Sequence, residues 1–398
     1  MRFAISSTLL GTESHLIFDD DQFTWHGSIP DNMWMLGDPT SPMDLTTVAS
    51  AIGEEIELFG SPEQDNMWNQ IRESGAKKIP WIHVLPPEKF KDKIKKIKEN
   101  VSNLVRGIDG SYYCNEFIEN RRFLLGLHRP KVDKIALDKI LNNENNAPNY
   151  QSLSRLKPDR DGFSHAIKYS QTSSVTGRLT VIEGPNILTL KREHRSIFRS
   201  RFKRGSLIQI DLVSLEPRIA LVIANKKAPY DIYSSVRDKV LNSEVTRDIA
   251  KISTICCLYG ISSQRLGSKL PPSLNPRHIL SEVRAHFDIP YLEASLRQQA
   301  AKSGHIANFY GRLIKSESSH VNHFLQSTGV DVSLLGFKKI VKDCDDHGID
   351  VIPVFVIHDA LILDVRQGHE RKIKKLLKEG VDIPGMTQKF PVKIEKFV

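Results

Sequence analysis

"VFVIHDALILDV" (354–365) and "GSLIQIDLV" (205–213) share one oddity: each is an apolar run broken by an aspartate, Asp359 in the first and Asp211 in the second. A carboxylate withdrawn from water is unfavourable unless a cation or strong donors meet it. Two carboxylates delivered by adjacent strands suit Mg²⁺, a hard cation that takes oxygen ligands and keeps positions open for water and substrate phosphates. Two such ions, roughly 3.5–4 Å apart, stabilise both the attacking and the leaving oxygen of an in-line phosphoryl displacement. Taken singly, each aspartate is more often a cap or an ion-pair member. The segment between them gives the pair its weight.

In that segment, "VTRDIAKISTICCLYG" (245–260), Arg247, Lys251, Ile255 and Tyr259 recur every four residues. On an α-helix each such step drifts by about 40°, so the four share one face roughly 120° wide. Ile249, Ile252 and Cys256 mark an apolar face, and Gly260 reads as the helix stop. A guanidinium, an ammonium, an apolar surface and an aromatic ring in that order can hold a triphosphate at one end and a base at the other. On spacing alone the same pattern also describes an ordinary basic amphipathic helix. Cys256 and Cys257 point about 100° apart on such a helix, one of them toward the core, which reads as packing.

The elements that must position these groups follow from local pattern. Residues 354–365 read as a hairpin with His358-Asp359 at its break, and 207–211 as a strand running into a helix that holds Glu216 and Arg218, with Pro217 tolerated near the helix start. Residues 1–80 alternate short apolar runs with turn residues, a small strand-rich unit, and "MRFAISSTLLGTESH" reads as a first strand and not a signal peptide. "EKFKDKIKKIKENVSNLV" places Phe90, Ile94, Ile97, Val101 and Leu104 on one helical stripe with lysines massed outside it, which is either a contact for a phosphate backbone or a solvated charged face. Another helix, "VDKIALDKILNNENNAPNY", runs into an Asn/Pro linker near 140–150. The remainder mixes strands and helices in a non-repeating order, an α+β class.

The whole chain of 398 residues is 40% hydrophobic, enough for a real core, which excludes a disordered protein. Lysine plus arginine outnumber acids 56 to 47, for a formal net charge of +9, which favours a polyanionic partner such as nucleic acid. Four cysteines without CxxC spacing point to a reducing compartment. No stretch approaches the roughly 20 apolar residues of a membrane helix, so a soluble, cytoplasmic protein is expected.

"DLVSLEPR", "RDIAKISTICCLYG" and "VIHDALILDV" resemble motifs A, B and C of family A DNA polymerases, the DNA polymerase I-like group. "TGRLTVIEGPNILTL", "DIYSSV", "YGRLIKS", "VNHFLQSTGVD" and "FPVKIEKF" are similar to the family's accessory segments and stand in the same order. The resemblance covers about residues 150–398. It implies a right-hand architecture with an antiparallel palm sheet, helical fingers and a helical thumb: a palm at 151–225 and 311–398, fingers at 226–310 that look trimmed, a basic helical thumb-like region at 81–150, and a small strand-rich unit at 1–80 of unnamed role.

Carried over by residue, the resemblance implies that Asp211 and Asp359 hold two Mg²⁺ ions, with Mn²⁺ able to substitute and the backbone carbonyl of Leu212 as a further ligand. Arg247 and Lys251 would grip the incoming triphosphate, Lys251 with a catalytic part. Ile255 would pack on the nucleotide, Tyr259 would lie by the templating base, and Glu216 would be the steric gate that excludes a ribose 2′-hydroxyl. Arg178, Asn322 and Gln326 would follow the primer-template minor groove, with Asn186 and Arg312 as further DNA-binding positions and His358 beside the primer terminus. The implied activity is template-directed addition of deoxynucleotides to a primer 3′ end by a monomer, with primer-template DNA and deoxynucleoside triphosphates as ligands. Its partners would be a helicase, primase or clamp in a bacterial or phage-infected cell.

Two departures stand near the chemistry. Ile255 replaces an aromatic residue usual in the family, and Ala360 replaces the usual glutamate after the motif C aspartate, which implies altered rate or metal use. Residues 1–80 lack the Asp-x-Glu pair that opens the family's proofreading domains, so no 3′-to-5′ exonuclease is expected, and for want of room no 5′ nuclease is expected either. A single-subunit RNA polymerase or primase-like nucleotidyltransferase shares the palm, but Glu216 argues against it. Retention of Asp211, Arg247, Lys251, Tyr259 and Asp359 together argues against a catalytically decayed DNA-binding accessory.

Overall fold

A computed structural model describes residues 2–10, 12–19, 22–30, 33–54, 56, 86–108, 111–143, 150–243 and 245–398. The chain forms two units, 1–125 and 126–398. The expected boundary near residue 80 and most of the Asn/Pro linker lie outside the described residues.

In the first unit, strands β1 (Phe3–Ile5), β2 (His15–Asp19), β3 (Gln22–His26) and β4 (Trp34–Leu36) form a sheet of order β3-β2-β1-β4, as the strand-rich reading expects. β1 is antiparallel to β2 and parallel to β4, a pairing the alternating pattern did not convey. Phe18 lies between its register partners on one face of the sheet, with ring centroids 5.3 Å from Phe3 and 5.0 Å from Phe23. Helix α1 (Leu45–Ala51) starts at Asp44, whose fully buried carboxylate accepts from Thr47 N and from the loop amides of Gly37 and Asp38, all at 3.1 Å. Ion solvation is replaced there by fixed N–H donors.

Helices α2 (Pro87–Ile108) and α3 (Tyr112–Leu125) belong to this same unit. The α2 stripe buries Ile94, Ile97 and Val101 as its spacing requires, but continues through Val105 and Ile108, leaving Leu104 half-buried. From Val101, a step of four and then of three stays nearer the buried face than the step of three to Leu104. Lys89, Lys91, Lys95 and Lys96 are exposed, while the Lys98 ammonium sits 4.5 Å over the Phe18 ring. Arg121 of α3 donates to three carbonyls of one loop, Pro39 O at 2.9 Å, Ser41 O at 2.7 Å and Pro42 O at 3.1 Å. These contacts explain why helices from the expected thumb-like stretch cohere with the N-terminal sheet. The later part of that stretch belongs elsewhere: Lys131–Val132 pairs with Phe198–Arg199 in the second unit.

The second unit is built on strands β5 (Ser206–Leu212), β6 (Val351–Ile357), β7 (Ala360–Val365) and β8 (Val392–Lys396), ordered β6-β7-β5-β8 and antiparallel throughout. Chain segments far apart in sequence thus become neighbours at the centre of one sheet. β7 is buried at all six positions, which is why its sequence does not alternate, whereas β5 keeps Gln209 and Asp211 partly exposed on one face while Ile208, Ile210 and Leu212 are buried on the other. Pro353 lies on the edge strand β6 at a register shift, where a missing N–H is tolerated. Beside it the buried Tyr169 hydroxyl donates to Val356 O at 2.8 Å and accepts from Val356 N at 3.0 Å.

The helices that follow are α4 (Leu215–Ile223), α5 (Ile232–Lys239), α6 (Arg247–Leu258), α7 (Pro276–His286), α8 (Ile289–Ser303) and α9 (His320–Asp346). Pro217 is the third residue of α4, where its missing N–H would be unpaired anyway. Gly329 lets α9 approach α4 closely: a Cβ there would lie 3.5 Å from Leu215 Cδ2 and 3.8 Å from Glu216 Cγ. Among the described residues no helix is long and apolar enough to cross a membrane.

Candidate functional site

Antiparallel register brings the two aspartates together. Ala360 pairs with Asp211, so Asp359, the preceding residue, stands at the same end of the sheet in the two-residue turn His358-Asp359 between β6 and β7. His358 adopts a left-handed backbone with φ of 54°, a conformation that costs about 1 kcal/mol or more in a residue with a Cβ. The strands are buried, but His358 and Asp359 are exposed at the tip. The expectation that Asp359 is withdrawn from water inside the hairpin is therefore corrected, because the turn projects beyond the buried strands. Asp211 is half-buried, and burial together with the negative charge of Asp359 pushes its carboxyl up to about 6, with Lys393 pulling in the opposite direction. Lys393 pairs with Asp211 across β8.

A cleft of about 640 Å³ opens over this end of the sheet. Its walls gather Asp211, Leu212 and Glu216 from β5 and α4, Lys251, Ile255 and Tyr259 from α6, and His358 and Asp359 from the hairpin turn. Arg178 and Gln326 complete the expected residues found there. Glu216 lies 3.7 Å from Arg178 and accepts from the Tyr259 hydroxyl. Burial raises the Glu216 carboxyl against those two contacts, and burial with the Glu216 charge pushes Tyr259 up to about 12.

α6 presents its row as its spacing requires. Thr246 caps its start, and Gly260, with φ of 66°, closes its end: Ile261 N bonds Cys256 O at 2.8 Å and Gly260 N bonds Cys257 O at 3.2 Å. Ala250, Ser253, Thr254, Cys256, Cys257 and Leu258 form its buried face, whereas Ile249 and Ile252 are only half-buried. Both cysteines, not one, pack inside. That broad face fits a helix covered on more than one side.

Arg247 stands beside the cleft and not in its wall, because its guanidinium is engaged. Asp231 takes Nε at 2.9 Å and Nη2 at 3.2 Å, and this bidentate contact lowers the Asp231 carboxyl to about 2. Asp231 is held in turn as the cap of α5, accepting from Ser234 N at 3.1 Å and Ser234 Oγ at 2.8 Å. The Tyr233 ring lies 5.4 Å from the Arg247 guanidinium and 5.9 Å from the Lys251 ammonium, so one aromatic face serves both cations. Asp231 and Tyr233 were missed in the sequence, although Asp-x-x-Ser before an apolar helix in "DIYSSV" is a capping signal that locates them.

The buried Arg218 organises this approach. It donates to Val213 O at 3.3 Å, Ala228 O at 3.4 Å, Pro229 O at 2.9 Å and Tyr230 O at 3.1 Å, fixing the link that delivers Asp231. Three expected DNA-binding positions lie outside the cleft wall. Asn186 is exposed; Arg312 is buried with Nη2 bonded to Gln171 O at 2.8 Å; Asn322 is half-buried and accepts from Gln326 Nε2 at 2.6 Å.

The donor set fits a hard divalent cation. Two carboxylates converge, and the Asp211 carboxyl is raised first by burial and then by the charge of Asp359, both of which a bound cation would offset. Among the described residues no group of three or more His, Cys, Asp or Glu gathers; backbone oxygen, water and substrate are the other oxygen ligands such a cation accepts. Asp211→Asn keeps an acceptor for Gln209 and removes the charge. A carboxyl raised in the folded state stabilises it below the unfolded value near 4, and that contribution is lost as pH rises through about 6. Without divalent ions Asp211→Asn should therefore melt higher than the parent above pH 6, by about 1–2 kcal/mol after discounting for residual solvent, and match it below pH 4. Equal melting in both ranges would refute the raised Asp211 carboxyl.

No protein-family model matches the chain. It is 24% identical to DNA polymerase I of Aquifex aeolicus over 262 residues, which span 58% of this chain and 45% of that protein. It is 24% identical to DNA polymerase theta of Drosophila melanogaster over 318 residues, 64% of this chain and 15% of that protein. The chain thus spans less than half the length of these curated relatives. Among solved structures, the POL domain of Pol1 from M. smegmatis in complex with DNA primer-template and dNTP aligns with a TM-score of 0.62 and 14% identity over 96% of this chain and 92% of that one. The chain resembles the family A, DNA polymerase I-like group in sequence, and it has that group's polymerase-domain fold.

Proposed function

We propose that the chain extends a DNA primer on a template, adding deoxynucleotides by nucleotidyl transfer at the cleft. The observation that carries this reading is the convergence of Asp211 and Asp359 on adjacent strand ends, with Lys251 of α6 lining the same cleft. The aligned structure was solved with DNA primer-template and dNTP, which supports the same ligands here.

Asp211 and Asp359, with the Leu212 carbonyl, would hold Mg²⁺ or Mn²⁺. Bound there, the cations would make the primer 3′-hydroxyl more acidic and neutralise charge building on pyrophosphate. The chain's own residues do the positioning. Lys251 and Arg247, aligned on the Tyr233 face, would meet the triphosphate and stabilise its developing charge. Ile255 gives the sugar and base an apolar wall, and Tyr259 places a ring at the far end of that row. Arg178, Gln326 and His358 border the cleft where they can contact the duplex, with Asn186, Arg312 and Asn322 as the outer members of that set. We read 151–225 and 311–398 as palm, 226–310 as fingers, and the α2–α3 helices as thumb-like. Four free, buried cysteines fit a reducing cytoplasm, in which a monomer would work beside a helicase, primase or clamp.

Incubation with primed template, Mg²⁺ and nucleotides tests the reading, and absence of any extension would refute it. Glu216 is 20% exposed and braced by Tyr259 and Arg178, so it can block a 2′-hydroxyl rigidly. Glu216→Ala should lower the preference for deoxy- over ribonucleotides by about 10- to 100-fold, the range that shape-based exclusion of one hydroxyl supplies. Incorporation-efficiency ratios measure this, and an unchanged ratio would assign the gate elsewhere.

A further inference from the structure

We propose that Gln209 and Arg195 are positioning residues for Asp211, acting in series to fix which carboxylate oxygen faces a bound cation. The proposal rests on the cation-binding reading above and assigns it a support that the motif residues do not contain.

Gln209 and Asp211 are two residues apart on β5, so their side chains leave the same face of the sheet. Gln209 Nε2 donates to Asp211 Oδ2 at 2.8 Å. On its other side Gln209 Oε1 accepts from Arg195 Nη1 at 2.9 Å. The two contacts fix the amide orientation, because a flipped amide would set its NH₂ against the guanidinium and its carbonyl against the carboxylate. Arg195 is itself held, half-buried, with its guanidinium 4.5 Å over the Phe397 ring.

The neighbours leave this as the polar brace in place. Across β7, Asp211 faces Ala360 and Gln209 faces Ile362, neither with a polar side-chain atom. Across β8, Asp211 faces Lys393, a charged neighbour whose ammonium is turned to Glu395 Oε1 at 2.6 Å, and Gln209 faces that Glu395. With one lone pair of Oδ2 taken by the amide, Oδ1 is the freer oxygen to meet a cation. Partners of this kind orient a ligand in advance of binding, and their loss typically weakens metal affinity about 10- to 100-fold.

Gln209→Leu and Gln209→Met keep the bulk and remove the donor. Mn²⁺ titration of the full chain, read by the electron paramagnetic resonance of free Mn²⁺, should show dissociation constants raised about 10-fold or more, with melting temperatures near the parent's. Primer extension should need correspondingly more metal and recover its maximal rate when metal is raised, a split that general loosening of the fold does not give. Arg195→Met should weaken binding less, and adding it to Gln209→Leu should change little, since both act through one contact. Parental Mn²⁺ affinity in both Gln209 variants would overturn the proposal while leaving the polymerase reading intact. A parent protein that neither binds Mn²⁺ nor extends primers would overturn that reading and this proposal with it.

Discussion

Asp359→Ala should abolish primer extension while leaving the protein folded. The carboxylate stands exposed at the tip of a hairpin whose strands are buried independently of it, so its removal leaves no cavity and no unpaired group inside. Metal-assisted charge stabilisation contributes several kcal/mol, and a loss of about 4 kcal/mol corresponds to a rate roughly 10³-fold lower. The far-ultraviolet spectrum and melting temperature should match the parent's. Single-turnover incorporation measured under excess Mg²⁺ is the deciding quantity. Activity within about tenfold of the parent would mean that Asp211 alone suffices, and the two-carboxylate reading would fail.

The second large effect is on stability. Arg218→Met preserves much of the volume of a side chain that is 1% exposed, but removes the donors for four backbone carbonyls. Buried polar groups left without partners cost about 1–3 kcal/mol each, although solvent and backbone relaxation recover part of the sum. A net loss of about 3–5 kcal/mol is expected, comparable to breaking a buried charged contact. In a unit of this size that lowers the melting temperature by roughly 10 °C. The link from Ala228 to Tyr230 also delivers Asp231, so the surviving folded protein should bind nucleotide more weakly, seen as a raised KM at little-changed kcat. A melting temperature within about 2 °C of the parent's would show that these carbonyls find other partners.

Which parts of this site were legible follows from the range over which each signal acts. The α6 row was readable because its four residues sit on one continuous helix, where spacing alone sets direction, and Gly260 marks its end chemically. Asp211 and Asp359 were readable as intrusions into apolar runs. Their exposures were not, because a strand's burial does not tell how far a turn projects beyond it. Asp231 on Arg247, Gln209 between Arg195 and Asp211, and Tyr169 on Val356 all join separate elements, and no local period encodes such pairs. The parallel partnership of β1 with β4 and the grouping of α2 and α3 with the N-terminal sheet escaped for the same reason. The α2 stripe shows a smaller miss: five apolar positions fixed the buried side, but Leu104 and Val105 both lie near its margin, and packing chose the second.

The Tyr169 hydroxyl has a meaning for the life of the protein outside its reaction. β6 is an outer strand, apolar and nearly uninterrupted, the kind of segment that recruits a like strand from another molecule. Both main-chain groups of Val356 are claimed by one phenol, and Pro353, which has no N–H to offer, has its carbonyl taken by His128 N at 3.0 Å. Two successive outward-facing positions of the hairpin that carries Asp359 are thereby taken from any strand that would add to this edge.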